Sequence, residues 1–316
     1  MVAMGTLVCV GLAGIGWIIT IIVIAVTGGQ RDEEVTARSK EPGFVPTPIA
    51  AGSQNRDVVA AMRAGSCRRN DVDRTRSAYL TAMRQRGAAS TLRGKVALVH
   101  FKVSMPGVAW TPEASRAVTL TAATSREYLL EQAKRWRVTD LAIDAIEWPI
   151  TTEIAIPPIR LDRNGKPSAT DGDDLRKKTR VAIESALGRS MQTVISDIEA
   201  RGYDNTGFLV SFPTGPRGVR DFAAPTGARG NAAELAYILE PDWNVAPRSL
   251  VATHELLHLF GADDLYEVRG VPPDEASDIM NAECSGLANA IIGETTAYAI
   301  GWSSVPPRRT FSFSDR

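Results

Sequence analysis

The sequence predicts a mixed α/β domain, with a twisted mixed sheet, a backing helix and a second helix that carries the candidate functional residues, preceded by an apolar N-terminal helix long enough to span a membrane. Strand-like runs alternate with helical patterns from Lys95 onward. The chain of 316 residues is long enough to bury a substantial core. Its 36 basic and 36 acidic side chains balance, so net charge gives no reason to expect a nucleic-acid partner.

Composition divides the chain into residues 1–28, 29–94 and 95–316. Residues 2–27 contain no charged side chain and are long enough to cross a bilayer as a helix. A secretory signal would show a basic start and a shorter apolar stretch, so the run predicts an uncleaved single-pass transmembrane anchor, with a cleaved signal as the alternative. Residues 29–94 read as a linker followed by a polar helical segment.

The orientation of this span stays open on the residues alone. Arg31, Arg38 and Lys40 follow it, and the positive-inside rule would keep the rest of the chain in the cytoplasm. Outside the apolar run, Cys67 and Cys284 form a single possible pair, and a disulfide would favour an oxidising compartment.

The elements follow from hydrophobic periodicity and from turn residues. Apolar side chains recur at three- and four-residue spacing between Ile183 and Ile198, which predicts one long helix, and Gly202 suits its end. In chain order the predicted elements are a polar helical segment (56–92), a strand (95–103), a helix (125–136), a strand (141–148), a polar loop (162–174), the long helix, and strands at 207–212 and 234–240.

Residues 247–266 contain the side chains that could bind a metal ion and take part in catalysis. Pro247 suits the first turn of a helix, and on that helix His254 and His258 lie four residues apart on one face, close enough to share a metal ion. Glu255 follows the first histidine, so it can reach a water molecule on the metal without itself coordinating the ion. A catalytic zinc site keeps three protein ligands and lowers the pKa of its water to about 7.

A third ligand is needed. His100 lies in a predicted strand and is interpreted as structural, which leaves a carboxylate. Gly261 allows a sharp turn after the helix that brings Asp264 back to the metal, and the adjacent Asp263 is the alternative if the turn is wider. A different arrangement would take the ligand from a second helix near Glu275 or Asp278, but the prolines of that stretch disfavour a helix.

The pattern His254-Glu255-x-x-His258-x-x-Gly261-x-x-Asp264, followed by Met280, resembles the metzincin metallopeptidases with their Met-turn. An aspartate in place of the third histidine resembles the snapalysin-type minority of that clan. The resemblance implies Zn²⁺ held by the two histidines and Asp264, with Glu255 as general base. Met280 has a plainer alternative as an ordinary core methionine.

The resemblance also implies a zinc-dependent endopeptidase whose partner is a peptide or protein substrate, paired along an edge strand within 213–231. It places a further helix around 287–302, and residues 95–316 become the catalytic domain. The clan's usual secretion implies a catalytic domain on the extracytoplasmic side of the cell membrane, or a secreted protein. The rival hypothesis is a catalytically inactive, membrane-tethered binding or scaffold protein, against which the intact Glu255 counts.

Two weaker patterns suggest further functional hypotheses. Cys67 invites the hypothesis of a thiolate that caps the zinc, although the surrounding residues match such switches only loosely. The loop 162–174 invites a calcium hypothesis, but its acidic residues do not keep EF-hand spacing, so a turn is favoured.

Overall fold

The structure is a computed structural model. The residues it describes belong to the second of two units into which the chain divides, residues 46–316. They are 47–48, 56–63, 67–68, 91–154, 169–213, 222–223, 234–238, 249–265, 277–281, 283–284, 286–305 and 307.

A six-stranded mixed sheet forms the centre of the described unit. The strands are β1 (Thr47–Pro48), β3 (Lys95–Ser104), β4 (Ala142–Thr151), β5 (Asn205–Ser211), β6 (Phe222–Ala223) and β7 (Leu235–Ile238). They lie in the order β1-β4-β3-β5-β7-β6, with the four inner strands parallel and the two outer ones antiparallel to their neighbours. A separate antiparallel pair joins β2 (Cys67–Arg68) to β8 (Glu283–Cys284).

Helices lie on both faces of this sheet and bury its apolar side chains. The helices are α1 (Arg56–Arg63), α2 (Pro112–Arg135), α3 (Ala169–Leu187), α4 (Met191–Ala200), α5 (Ser249–Leu259) and α6 (Glu294–Ala299). Alternate residues of β3 enter different cores, because successive strand side chains point to opposite faces. Val96 and Leu98 pack with α2 and α5, whereas Val99 and Phe101 pack with α3 and α4. The predicted mixed α/β class is confirmed.

Helix α2 begins well before the predicted range of 125–136. The Thr111 side chain accepts a hydrogen bond from the backbone of Ala114, and Pro112 occupies the first turn, where a missing N–H costs nothing. The intervening stretch is rich in alanine and threonine. It therefore lacked the apolar periodicity on which the prediction relied, although its capping signal was present.

The single long helix predicted through Ile198 is wrong. Gly188 adopts φ +65° and ends α3, and Ser190 then caps α4 by accepting a hydrogen bond from the backbone of Thr193. The predicted end at Gly202 is confirmed, since this residue has φ +81° directly after the cap of α4. Helix α3 also begins inside the predicted polar loop, of which residues 162–168 lie outside the described part.

The range predicted as linker and polar helix, 29–94, contributes three elements to the described unit. Strand β1 pairs with β4, α1 lies against α2, and β2 pairs with β8. Val58 is the fully buried residue of α1. A single buried apolar residue in a polar segment leaves little hydrophobic periodicity, so the sequence pattern did not predict these contacts.

Two predictions concern the ends of the chain. The predicted membrane span, 2–27, lies outside the described residues. Within those residues no helix combines the length and the apolarity needed to cross a membrane. The helix expected at 287–302 is shorter, since residues 287–290 form a turn, α6 spans Glu294–Ala299, and Gly301 turns with φ +84°.

Candidate metal centre

Helix α5 lies directly beneath the sheet. Gly207 of β5 permits this approach, because a Cβ atom there would lie 2.7 Å from Leu256 Cδ1 and 3.2 Å from the Phe260 ring. Leu256, Leu257 and Phe260 are buried in the core. This packing fixes the orientation of α5, so that its histidines are presented away from the sheet contact.

The chain turns sharply after α5 and returns to it, as predicted. Gly261 adopts φ +97°, a conformation that favours glycine, and the next residue donates its backbone N–H to the Leu257 carbonyl. The carbonyl of Ala262 then lies 2.8 Å from Nδ1 of His258. Asp264 thereby comes back over the helix.

Three side chains converge at this turn. Nε2 of His254 lies 3.0 Å from Oδ1 of Asp264, and Nε2 of His258 lies 3.4 Å from the same oxygen. One potential ligand atom from each residue falls within 4.8 Å of the others, which suits a shared metal ion. The structure therefore brings together the three residues predicted as ligands.

Backbone carbonyls set the ring orientation of both histidines. Nδ1 of His254 lies 3.0 Å from the carbonyl oxygen of Ile279, and Nδ1 of His258 is held by Ala262. Because a carbonyl only accepts, each Nδ1 donates, and each Nε2 is left to face Asp264. Outer contacts of this kind orient metal-binding histidines and select their tautomer.

Asp264 provides the test of whether these residues fit a metal. Its Oδ1 is buried and, among the described residues, has no hydrogen-bond partner of acceptable geometry, although two imidazole nitrogens lie within 3.4 Å. A buried carboxylate oxygen that lies against two nitrogens without a well-formed hydrogen bond to either is costly, and a cation shared by the three groups would remove that cost. Two imidazoles and one carboxylate are a ligand set typical of catalytic zinc, so the donor set fits.

The charges at the site are strongly coupled. Burial by itself would lower the pKa of both imidazoles, but the Asp264 carboxylate outweighs it, raising the pKa of His254 above its usual value and that of His258 to about 9. Burial would raise the pKa of Asp264, yet the two histidines hold it well below its usual range. The Asp264 carboxylate thus favours the positively charged form of the neighbouring imidazoles, and a bound cation would take the place of that charge.

Glu255 lies beside the ligand cluster without joining it. Its side chain is buried, and its Oε2 is 4.0 Å from Nε2 of His258. A carboxylate in this position can accept a proton from a water molecule next to the ligands.

The segment around Met280 packs against α5. The backbone N–H of Asn281 donates to the carbonyl of Asp278, which closes a turn, and Met280 is completely buried with the leucines of α5. Its carbonyl accepts the N–H of Leu265, the residue after Asp264. The turn therefore touches the chain on both sides of Gly261.

The remaining candidate ligands do not join the cluster. His100 is completely buried, and its Nε2 lies 2.7 Å from the Ser211 hydroxyl. Burial and the nearby Lys102 charge lower its pKa to about 3, which suits a structural histidine. Asp263 and Asp278 are also outside the cluster, and Glu275 lies outside the described residues.

Sequence reasoning missed the supporting residues. The carbonyls of Ile279 and Ala262 leave no signal, because every residue has a carbonyl. Asp278 had a signal in its spacing from Met280, since an aspartate often accepts the N–H two residues on. Cys67 and Cys284, which the sequence left as a possible pair, are direct backbone partners in the register of β2 and β8.

Comparison with known proteins does not identify a family: no family model matches the chain, and no curated protein matches it. The residues and geometry of the site therefore carry the functional argument.

Proposed function

We propose that the chain is a zinc-dependent endopeptidase of the metzincin type. The observation that carries this proposal is the convergence of His254, His258 and Asp264 around one buried carboxylate oxygen, at 3.0 and 3.4 Å from the two imidazole nitrogens. The mixed sheet with four parallel inner strands, the helix beneath it and the turn around Met280 support the likeness to metzincins.

The three side chains would hold Zn²⁺. When bound, the ion would lower the pKa of a water molecule to about 7 and would polarise a peptide carbonyl. The Ile279 and Ala262 carbonyls keep both Nε2 atoms available for the ion. Asp264 supplies one negative charge, so part of the ion's charge is compensated within the site.

Glu255 is the proposed general base. Its carboxylate accepts a proton as water attacks the peptide carbonyl, and it returns that proton to the departing amine. Its position supports this role, because Glu255 lies outside the ligand set while its Oε2 is 4.0 Å from Nε2 of His258. An inactive scaffold has no need of this carboxylate.

The substrate is proposed to be an extended segment of a peptide or protein. Strand β6 is the outermost strand beyond β7 in the described sheet and runs antiparallel to it. It lies within the range 213–231 expected to provide an edge strand. An extended chain could add to such an edge by main-chain hydrogen bonds.

We further propose that residues 2–27 anchor the protein in the cell membrane, with the catalytic domain extracytoplasmic, and a secreted form as the alternative. The uncharged run supports the anchor. Protease shaving of intact cells, followed by detection of the C-terminus, tests the sidedness. Loss of the C-terminus only after lysis would place the domain in the cytoplasm.

Peptide cleavage by the wild-type chain and by Glu255→Ala tests the catalytic proposal. We expect Glu255→Ala to retain about one zinc per chain and to lose cleavage by several orders of magnitude. Glu127→Ala, on helix α2, is a control that should cleave normally. Near wild-type cleavage by Glu255→Ala would refute the role, and zinc-free wild type without cleavage would favour the inactive scaffold.

A further inference from the structure

Asp278 is a completely buried carboxylate next to the Met280 turn. Its Oδ1 accepts the Met280 backbone N–H at 2.7 Å and the Thr296 hydroxyl at 2.9 Å. Its Oδ2 accepts the Gly293 backbone N–H at 2.6 Å. Burial of a carboxylate is costly unless donors satisfy it, and here three short hydrogen bonds do so.

The turn that Asp278 holds contacts the ligand segment at two consecutive residues. The carbonyl of Ile279 accepts from Nδ1 of His254, and the carbonyl of Met280 accepts the N–H of Leu265 at 2.8 Å. One contact sets the ring of a ligand, and the other fixes the residue following Asp264. A shift of this short backbone would therefore move two ligands together.

The other side of the turn is attached to α2. The N–H of Ile279 donates to the Ile291 carbonyl at 2.8 Å. Next to it, the Ile292 N–H donates to Oε1 of Gln132, and Nε1 of Trp136 donates to the Ile292 carbonyl. This strip, residues 291–293, is held against α2 by these bonds, and Asp278 connects it to the turn.

We propose that Asp278 is a positioning residue of the metal centre: by fixing the Ile279–Met280 backbone against residues 291–293, it sets the orientation of His254 and the placement of Asp264. The inference rests on the proposed function, because it concerns the geometry of the same site. Asp278 touches neither metal nor substrate and acts through the turn.

Asp278→Asn is the most informative variant, since it keeps the size of the side chain. One amide oxygen can still accept from Met280 and Thr296, but the amide NH₂ then faces the Gly293 N–H, where two donors oppose each other. We expect zinc affinity, measured by competition with a chromophoric chelator, to fall about 10- to 100-fold. The visible spectrum of the Co²⁺-substituted protein should also change, because it reports ligand geometry.

Two controls separate positioning from general loss of stability. Thr296→Val removes one donor to Asp278 but leaves the Met280 and Gly293 contacts. Val194→Ala weakens the core on the opposite face of the sheet. Both should unfold more easily than wild type while keeping its zinc affinity and Co²⁺ spectrum.

The outcomes distinguish the inference from the proposed function. If Asp278→Asn loses stability as Val194→Ala does but keeps wild-type zinc affinity and Co²⁺ spectrum, the positioning role is refuted and the proposed function stands. If the wild-type chain binds neither Zn²⁺ nor Co²⁺, both are overturned. Should Asp278→Asn not fold, Asp278→Ser, which can still accept from Met280, takes its place and should show the same loss of affinity.

Discussion

Gly261 connects the helix that carries two ligands to the segment that carries the third, so its backbone conformation controls how the three ligands come together. With φ +97°, it occupies a conformation that side chains with a Cβ rarely adopt. Strain of this kind costs about 1–3 kcal/mol per residue. Gly261→Ala places that cost on the turn that brings Ala262 to His258 and returns Asp264 to the cluster.

The metal-free variant can relieve this strain by opening the turn, but metal binding requires the turn to close. The free energy of closing the strained turn therefore weakens zinc binding. About 1–3 kcal/mol corresponds to a loss of roughly 5- to 160-fold in zinc affinity. A competition titration with a chromophoric chelator measures it, alongside chemical denaturation of the metal-free protein.

Gly202→Ala is the matched control. Gly202 has a similar positive φ of +81°, a Cβ added to it would meet no atom within 4 Å, and it lies after α4 rather than at the site. The substitution should destabilise the fold without changing zinc affinity. If Gly261→Ala and Gly202→Ala bind zinc equally tightly, the turn is not what assembles the ligands.

Three further predictions concern the third ligand, the protons released on zinc binding, and the cysteine pair. Asp264→Ala should lose far more zinc affinity than Asp263→Ala, because only Asp264 faces both imidazoles; the reverse order in metal titrations would move the ligand. Zinc binding at pH 7 should release at least one proton, because the pKa of His258 is raised to about 9 and a histidine ligand must be neutral. Zinc affinity should therefore fall as the pH falls. Calorimetry in buffers of different ionisation enthalpy measures the protons released, and finding none would contradict this prediction. Alkylation without reduction should leave Cys67 and Cys284 unmodified in protein from an oxidising compartment, and labelling of both would argue against their disulfide.

The ligands could be predicted because their relation is local. His254 and His258 are four residues apart on one helix, and a single glycine brings Asp264 back within six residues. Helical periodicity and one turn residue suffice for such a prediction. No contact between distant segments has to be known.

The support of the ligands could not be predicted in the same way. The Ile279 carbonyl reaches His254 across 25 residues, and Asp278 reaches Thr296 across 18. These contacts depend on how residues 277–281 dock against α5 and residues 291–293. A backbone carbonyl carries no side-chain identity that a sequence could reveal.

The errors in predicting the helix boundaries from the sequence have equally local causes. Apolar spacing continues from Ile183 through Leu187 to Met191 and Val194, so periodicity alone favoured one helix. The break depends on Gly188 and the capping Ser190, which a periodic pattern does not weigh. At Thr111 the same kind of signal, a cap followed by proline, marked a helix start that periodicity did not show.

Anomalous diffraction at the zinc edge, from crystals of the wild-type chain grown with zinc, tests the central claim most directly. The account predicts one strong peak bonded to Nε2 of His254, Nε2 of His258 and a carboxylate oxygen of Asp264, at about 2.0–2.2 Å. Glu255 should lie beside the ion without coordinating it. A zinc ion held by other residues, or no peak near His254 and His258, would contradict the account.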